Sequence, residues 1–133
     1  MPHYVVLHHR VLAGKALPRG AHDHFDWMFE NGDSLLTWAT DSLPSRTSGS
    51  TMRAILLPAH RTIYLTFQGP LSEDRGEVER VESGTFETIQ INETQYEFAV
   101  KGDRVGIILL RKNHRGGDAT WDWSFRTMRA DAS

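Results

Sequence analysis

Apolar and polar residues alternate with a period of two through most of this chain, most clearly from His22 to Glu30. Phe25, Trp27 and Phe29 fall on one side of that stretch, with Asp23. His22, His24, Asp26, Met28 and Glu30 fall on the other. Successive side chains of a strand point to opposite faces. The stretch therefore predicts a strand with an aromatic layer on one face and two imidazoles and two carboxylates along the other. A plainer reading stands beside it, since a polar face turned to solvent is the ordinary condition of an antiparallel strand.

The same pattern organises the rest. Residues 3–9 predict a first strand ending in His8 and His9. Residues 10–21 predict a loop, with turn chemistry from Gly14, Pro18 and Gly20 and the basic residues Arg10, Lys15 and Arg19. Asn31-Gly32 is a hairpin signal, returning into a strand over residues 34–40. Residues 41–51 predict a polar loop. A short strand is expected over 53–57, a turn over 58–61, a further strand over 62–67, a break at Gly69-Pro70 and a turn over 71–74. Four strands are expected over 76–82, 85–91, 96–101 and 105–111. A Gly-rich loop over 113–119 leads to a closing strand over 121–125, and the tail from Arg129 is expected to fray. Frequent turns without helical periodicity predict an all-β fold. We expect a small closed or nearly closed antiparallel β-barrel of about eight strands, with long loops and little helix, because closure removes exposed edges. A sandwich is the alternative. No repeat or low-complexity segment divides the chain, so residues 1–133 are expected to form one domain.

Composition narrows the function classes. The chain has no cysteine, which excludes disulfides, thiolate metal sites and cysteine nucleophiles and fits a cytoplasmic location. No apolar run approaches the roughly 18 residues of a membrane span, and no basic-then-apolar leader precedes the first strand. A net charge of −2 argues against tight, sequence-independent nucleic-acid binding through a broadly basic surface, while leaving room for a local basic patch.

Within this frame three places gather chemistry: His9 at the end of the first strand, His24 with Asp26 on the second, and His60 ahead of Tyr64. Residues two apart on a strand lie roughly 6.5–7 Å apart at Cα. That spacing lets His24 and Asp26 reach one ion at about 2.0–2.2 Å. The strand Tyr4-Val5-Val6-Leu7-His8-His9 is followed by His24-Phe25-Asp26-Trp27-Met28-Phe29-Glu30 and Thr37-Trp38-Ala39. Then come His60 with Tyr64 four residues on, Phe67-Gln68-Gly69, a Gly76–Val78–Gly84 run, and a closing stretch over residues 100–111. In order and spacing this series resembles the 3′-phosphoesterase module of ATP-dependent DNA ligase D, as a stand-alone and divergent member. The resemblance covers nearly the whole chain. It implies a β-barrel with a polar, metal-binding concavity and a manganese-dependent activity in DNA repair. That activity removes a terminal ribonucleoside and then the 3′-phosphate from nucleic-acid 3′ ends. Carried over, it makes His9, His24 and Asp26 the metal ligands. It has His60 touch the scissile phosphate or assist the leaving group, and Tyr64 line the phosphate site.

The chemistry of these residues is consistent with those roles. Imidazole and carboxylate suit manganese, and zinc also. Such an ion polarises a phosphoryl oxygen and acidifies a bound water. Histidine titrates near neutral pH, as a proton donor at position 60 requires. A phosphate in transfer also needs cations around its oxygens, which Arg53 or Arg61 can supply, as can Arg10, Lys15 or Arg19. Two departures from the family pattern stand out: Met28 replaces an arginine, and Thr40-Asp41-Ser42 stand where a lysine follows the Trp-Ala pair. They motivate an alternative function, a catalytically degenerate barrel that binds metal, phosphate or nucleic acid or acts as an interaction module. The leading reading is a phosphoesterase at nucleic-acid 3′ ends, working beside a separate ligase and away from membranes.

Several residues carry competing readings. A one-residue slip would exchange His8 for His9. His22 is either an extra ligand or a loop histidine. Glu30 is either a hydrogen-bond acceptor behind a ligating histidine or a surface residue. Trp38, Trp121 and Trp123 are read as core in preference to base-stacking platforms. His3 and His114 are assigned to the surface, and Gly116-Gly117 to a flexible loop, not a phosphate-binding fingerprint.

Overall fold

The computed structural model describes residues 1–11, 23–71, 76–117 and 119–128. Among them the chain forms β1 (His3–Arg10), β2 (His24–Asn31), β3 (Ser34–Thr40), β4 (Ser50–Arg61), β5 (Gly69–Pro70), β6 (Glu77–Asn92), β7 (Gln95–Gly102), β8 (Gly106–Lys112) and β9 (Thr120–Thr127), with one 3₁₀ turn over Thr62–Leu65. The sheet order is β1-β2-β3-β4-β9-β8-β7-β6-β5, and β6 returns to pair with β1. Every pairing is antiparallel. Eight strands therefore close a nearly barrel-like ring, and the two-residue β5 hangs on β6 outside it. The expected all-β barrel is the observed architecture, and the β1–β6 pairing excludes a two-sheet sandwich. No helix among the described residues is long and apolar enough to cross a membrane.

Strand alternation sorts the side chains into two apolar layers. Tyr4, Val6, Trp27, Phe29, Trp38, Phe98, Trp121, Trp123 and Phe125 belong to the larger one, inside the ring. Trp38, Trp121 and Trp123 are thus core, as the pattern predicts. Full burial of each such side chain contributes about 1.5–3 kcal/mol. The second layer lies on the outer face, where Val5, Leu7, Met28, Leu35 and Val78 are covered by Tyr64, Leu65, Phe67 and Leu71. The face of β2 that reads as polar in the sequence is therefore mixed. Met28 is 1% exposed and lies beneath that cover.

One edge of the interior is closed by a buried ion pair. Arg104 donates from Nε to Glu82 Oε2 at 2.6 Å and from Nη2 to Glu82 Oε1 at 2.9 Å. Two further donors reach the carbonyls of Pro44 and Ser45, both at 3.1 Å. The guanidinium also lies over the rings of Phe125 and Trp27, at 4.7 and 5.0 Å. Tyr4 donates its hydroxyl to Glu82 at 2.8 Å. Burial, and then the charge of Glu82, push that phenol well above its ordinary range. The network ties the irregular segment 41–49 to β1 and β6.

Several expected boundaries move. The turn expected over 58–61 is part of β4, and the strand expected over 62–67 begins as a 3₁₀ turn. Pro58 is tolerated because it sits in a bulge. Leu35 pairs with His60 and Thr37 with Leu57, leaving Pro58 and Ala59 opposite Leu36. Beyond Arg61, paired with Ser34 at the start of β3, no ladder partner remains. The chain there satisfies itself locally, with Thr66 and Phe67 both donating to the carbonyl of Ile63. The strands expected over 76–82 and 85–91 are one continuous β6. Gly84 lies between Tyr4 of β1 and Gly102 of β7, and a Cβ there would meet the Lys101 carbonyl oxygen at 2.4 Å. This glycine permits close backbone approach and does not break the strand. The Asn31-Gly32 signal is displaced by one residue: Asn31 pairs with Ser34, and Gly32-Asp33 form the loop, with Gly32 at φ +61°. The greater part of the first loop, most of the turn expected over 71–74 and the tail from residue 129 lie outside the described residues.

Candidate metal centre

The pairing of β1 with β2 builds the centre. His9 lies opposite His24 and Leu7 opposite Asp26. Leu7 belongs to the outer layer, so by alternation His9, His24 and Asp26 share that outer face. The register resolves the competition at the end of β1. His8 stacks on Phe25, with ring centroids 4.5 Å apart and planes 12° apart, on the opposite face. His9 instead meets His24 edge to face at 4.8 Å.

His24 Nε2 stands 3.1 Å from Asp26 Oδ1, and His9 Nδ1 stands 4.0 Å from Asp26 Oδ2. One ligand atom from each residue lies within 4.8 Å of the others, a set that could hold a metal ion. Two ligands at about 2.2 Å from one ion can be no more than about 4.4 Å apart. Small side-chain rotations close that gap. Asp26 is 3% exposed, and its Oδ1 accepts no hydrogen bond despite the nearby imidazole. A buried carboxylate oxygen ordinarily has a donor or a cation. The donor set, two imidazoles and one carboxylate, fits manganese or zinc.

The other expected site residues form a second group. His60 donates from Nδ1 to the carbonyl of Pro58 at 3.0 Å, which turns Nε2 away from the backbone. Its ring meets Tyr64 edge to face at 5.7 Å. Arg61 joins these two along a shallow pocket on β4. In register, His60 lies level with Leu35, whereas Asp26 lies level with Ala39. The two groups are thus two strands and four residues apart, roughly 10 Å across and 13 Å along the sheet. Tyr64 bridges them in part, since it packs on the outer layer that contains Leu7 and Met28.

Arg53 has the same strand parity as Ile55, which pairs with Ala39 next to Asp26. It therefore presents to the same outer face and is exposed. Arg10 is committed elsewhere, to Glu77 and Glu79, and these bonds raise its already high pKa. Lys15, Arg19 and His22 lie outside the described residues. Glu30 is not behind the ligand set: it accepts from the His3 backbone N–H at 2.6 Å and faces His3 Nδ1 at 3.2 Å. Sequence reasoning missed Arg80. It pairs with Leu7, which pairs with Asp26, so it sits on the strand flanking the centre. Its signal was the alternation over 76–82, legible only once β6 is known to pair with β1.

A family model described as the DNA Ligase D 3'-phosphoesterase domain matches residues 18–112. The match includes His24, Asp26, His60 and Tyr64. His9 lies ahead of it and enters the centre through the β1–β2 ladder. No curated protein matches the chain.

Proposed function

The chain belongs to the DNA Ligase D 3'-phosphoesterase domain family, and from that premise we propose that it binds one divalent ion at His9, His24 and Asp26 and hydrolyses a phosphoester at nucleic-acid 3′ ends. The observation that supports this reading is the buried Asp26 carboxylate between two imidazoles, its Oδ1 accepting no hydrogen bond. A bound manganese ion would polarise a phosphoryl oxygen and acidify a water. The chain's own residues supply the rest. Asp26 and the two histidines orient the site, and Leu7 and Ala39 flank the carboxylate. Arg53 offers positive charge on the same face. His60, with Nε2 directed away from the backbone, would give a proton to the leaving oxygen, with Tyr64 and Arg61 beside the phosphate. The substrate class is a 3′-phosphate or 3′-ribonucleotide end, and a separate ligase would consume the processed end.

A second reading has its own support. Met28 is buried in the outer apolar layer, so β2 offers no cation beside Asp26, and His60 stands two strands away. A barrel that binds metal or nucleic acid without turnover fits these features. Calorimetric titration with manganese and with zinc, for the parent and for His24→Ala/Asp26→Ala, tests the centre. Saturable binding by the parent alone is expected; heat from neither protein would overturn it. Metal-dependent release of phosphate from a 3′-phosphorylated oligonucleotide, lost in the double variant, would then exclude the non-catalytic reading.

A further inference from the structure

We propose that a pocket on the outer face, between β1, β6 and the 3₁₀ turn, holds a backbone phosphate of the single strand whose 3′ end reaches the His9–His24–Asp26 centre. This inference rests on the reading above and adds to it the path of the substrate strand.

The pocket is lined by Arg80, Lys101 and His3, by Thr66, and by the apolar residues Val5 and Leu65, among others. No carboxylate lines it. In a chain with 17 acidic residues against 15 lysines and arginines, that local balance is unlike the whole. The nearby Glu30 is engaged by the backbone N–H and ring of His3.

Arg80 is held in place from two sides. Its backbone N–H donates to Gln68 Oε1 at 2.9 Å, and its Nη1 donates to the Leu65 carbonyl at 3.3 Å. A guanidinium carries five N–H donors, so one bond to a neutral carbonyl leaves most of the fork available, with its charge unmatched by any acid among the described residues. Lys101 lies opposite Thr85, and Thr85 opposite His3, which sets the basic groups on three adjacent strands.

The placement relative to the centre gives direction. Arg80, Leu7 and Asp26 lie in one row across β6, β1 and β2, so Arg80 is two strand steps, roughly 10 Å, from Asp26. From His9 to His3 the seam runs six residues along β1, roughly 20 Å. Val5 and Leu7 of that seam lie beneath Tyr64, Leu65 and Phe67, so a strand that leaves the pocket past Lys101 and Arg80 reaches the centre over this cover. Cations that track a backbone beside apolar surface for sugar and base are the usual means of holding single strands.

The test is the salt dependence of binding to a short fluorescent single-stranded oligodeoxynucleotide with a 3′-hydroxyl, followed by anisotropy between about 50 and 200 mM salt. Each lost phosphate contact on a single strand lowers the slope of log K against log salt by about 0.7. Arg80→Gln/Lys101→Gln, which empties the one phosphate subsite, is expected to lower it by about 0.7, while Arg80→Lys keeps it. Arg115→Gln/Arg126→Gln removes the same charge from residues that do not line this pocket, and is expected to leave the slope unchanged. An equal fall in both double variants, no fall in either, or no binding by the parent overturns the proposal. Manganese titration of the same proteins separates the two readings. Metal binding without the specific slope change sinks the strand subsite alone. The slope change without metal binding sinks the metal reading and leaves the subsite.

Discussion

His9 Nδ1 and His24 Nε2 approach the same carboxylate from two strands, whereas His8, one residue away, stacks on Phe25. Parity alone separates the two neighbours, so their alanine variants should differ sharply. His9→Ala is expected to abolish manganese binding by calorimetry, and His8→Ala to leave the affinity within a few-fold of the parent. Met28 makes a second case. An arginine at this position would restore a cation beside Asp26, but the side chain is 1% exposed among Val5, Leu7 and Leu35. An unpaired buried charge costs several kcal/mol. Met28→Arg is expected to lower the unfolding free energy by that amount, read as a fall in the urea midpoint, instead of improving phosphate binding; an unchanged midpoint would mean that the arginine escapes the layer.

Among the elements, β6 does most to shape the molecule. Its first half pairs with β1 beside the metal centre and its second half with β7, and Gly84 is where it is gripped from both sides. A methyl group at that position would collide with the Lys101 carbonyl and with Tyr4 Cε1. Overpacking of this kind costs about 1–3 kcal/mol, so Gly84→Ala is expected to lose at least that much in denaturant unfolding. The 3₁₀ turn shows the opposite behaviour of an element. Its sequence is apolar enough for a strand, yet β3 has no residue left to pair with it, and it becomes a cover for the outer layer. That cover places Tyr64 between His60 and the histidine–aspartate centre.

For the molecule as a whole, closure of the ring runs through Tyr4 on β1 and Glu82 on β6, with Arg104 bonded to Glu82 from beyond β7. The Tyr4 phenol titrates far higher in the folded chain than its ordinary 10.0, because burial and the Glu82 charge disfavour the phenolate. The unfolded chain therefore releases this proton first. The associated stability is fully present below about pH 10 and is lost progressively as the pH rises above it. Unfolding free energy measured from pH 8 to 11 (an interval of about three units) is expected to fall at the alkaline end, and Tyr4→Phe to flatten that fall. An identical decline in the variant would assign the effect to other groups.

The alternation of side chains along the chain was enough to specify most of the strands, the all-β class and the aromatic core, because period two is a local property of extended backbone. It was also enough to put His24 and Asp26 on one face, since two residues of one strand need no tertiary information to be neighbours. What local pattern does not contain is which strand lies beside which. The pairing of His9 with His24, the row Arg80–Leu7–Asp26, the burial of Met28 and the engagement of Glu30 by His3 all follow from register between strands distant in sequence. The same holds for Pro58 inside β4 and Gly84 inside β6, where residues that break isolated strands are accommodated by a bulge or demanded by a crowded neighbour. The residue types of the candidate centre were therefore set by the sequence, while their convergence on one carboxylate was decided only by the register of β1 on β2, which no single strand encodes.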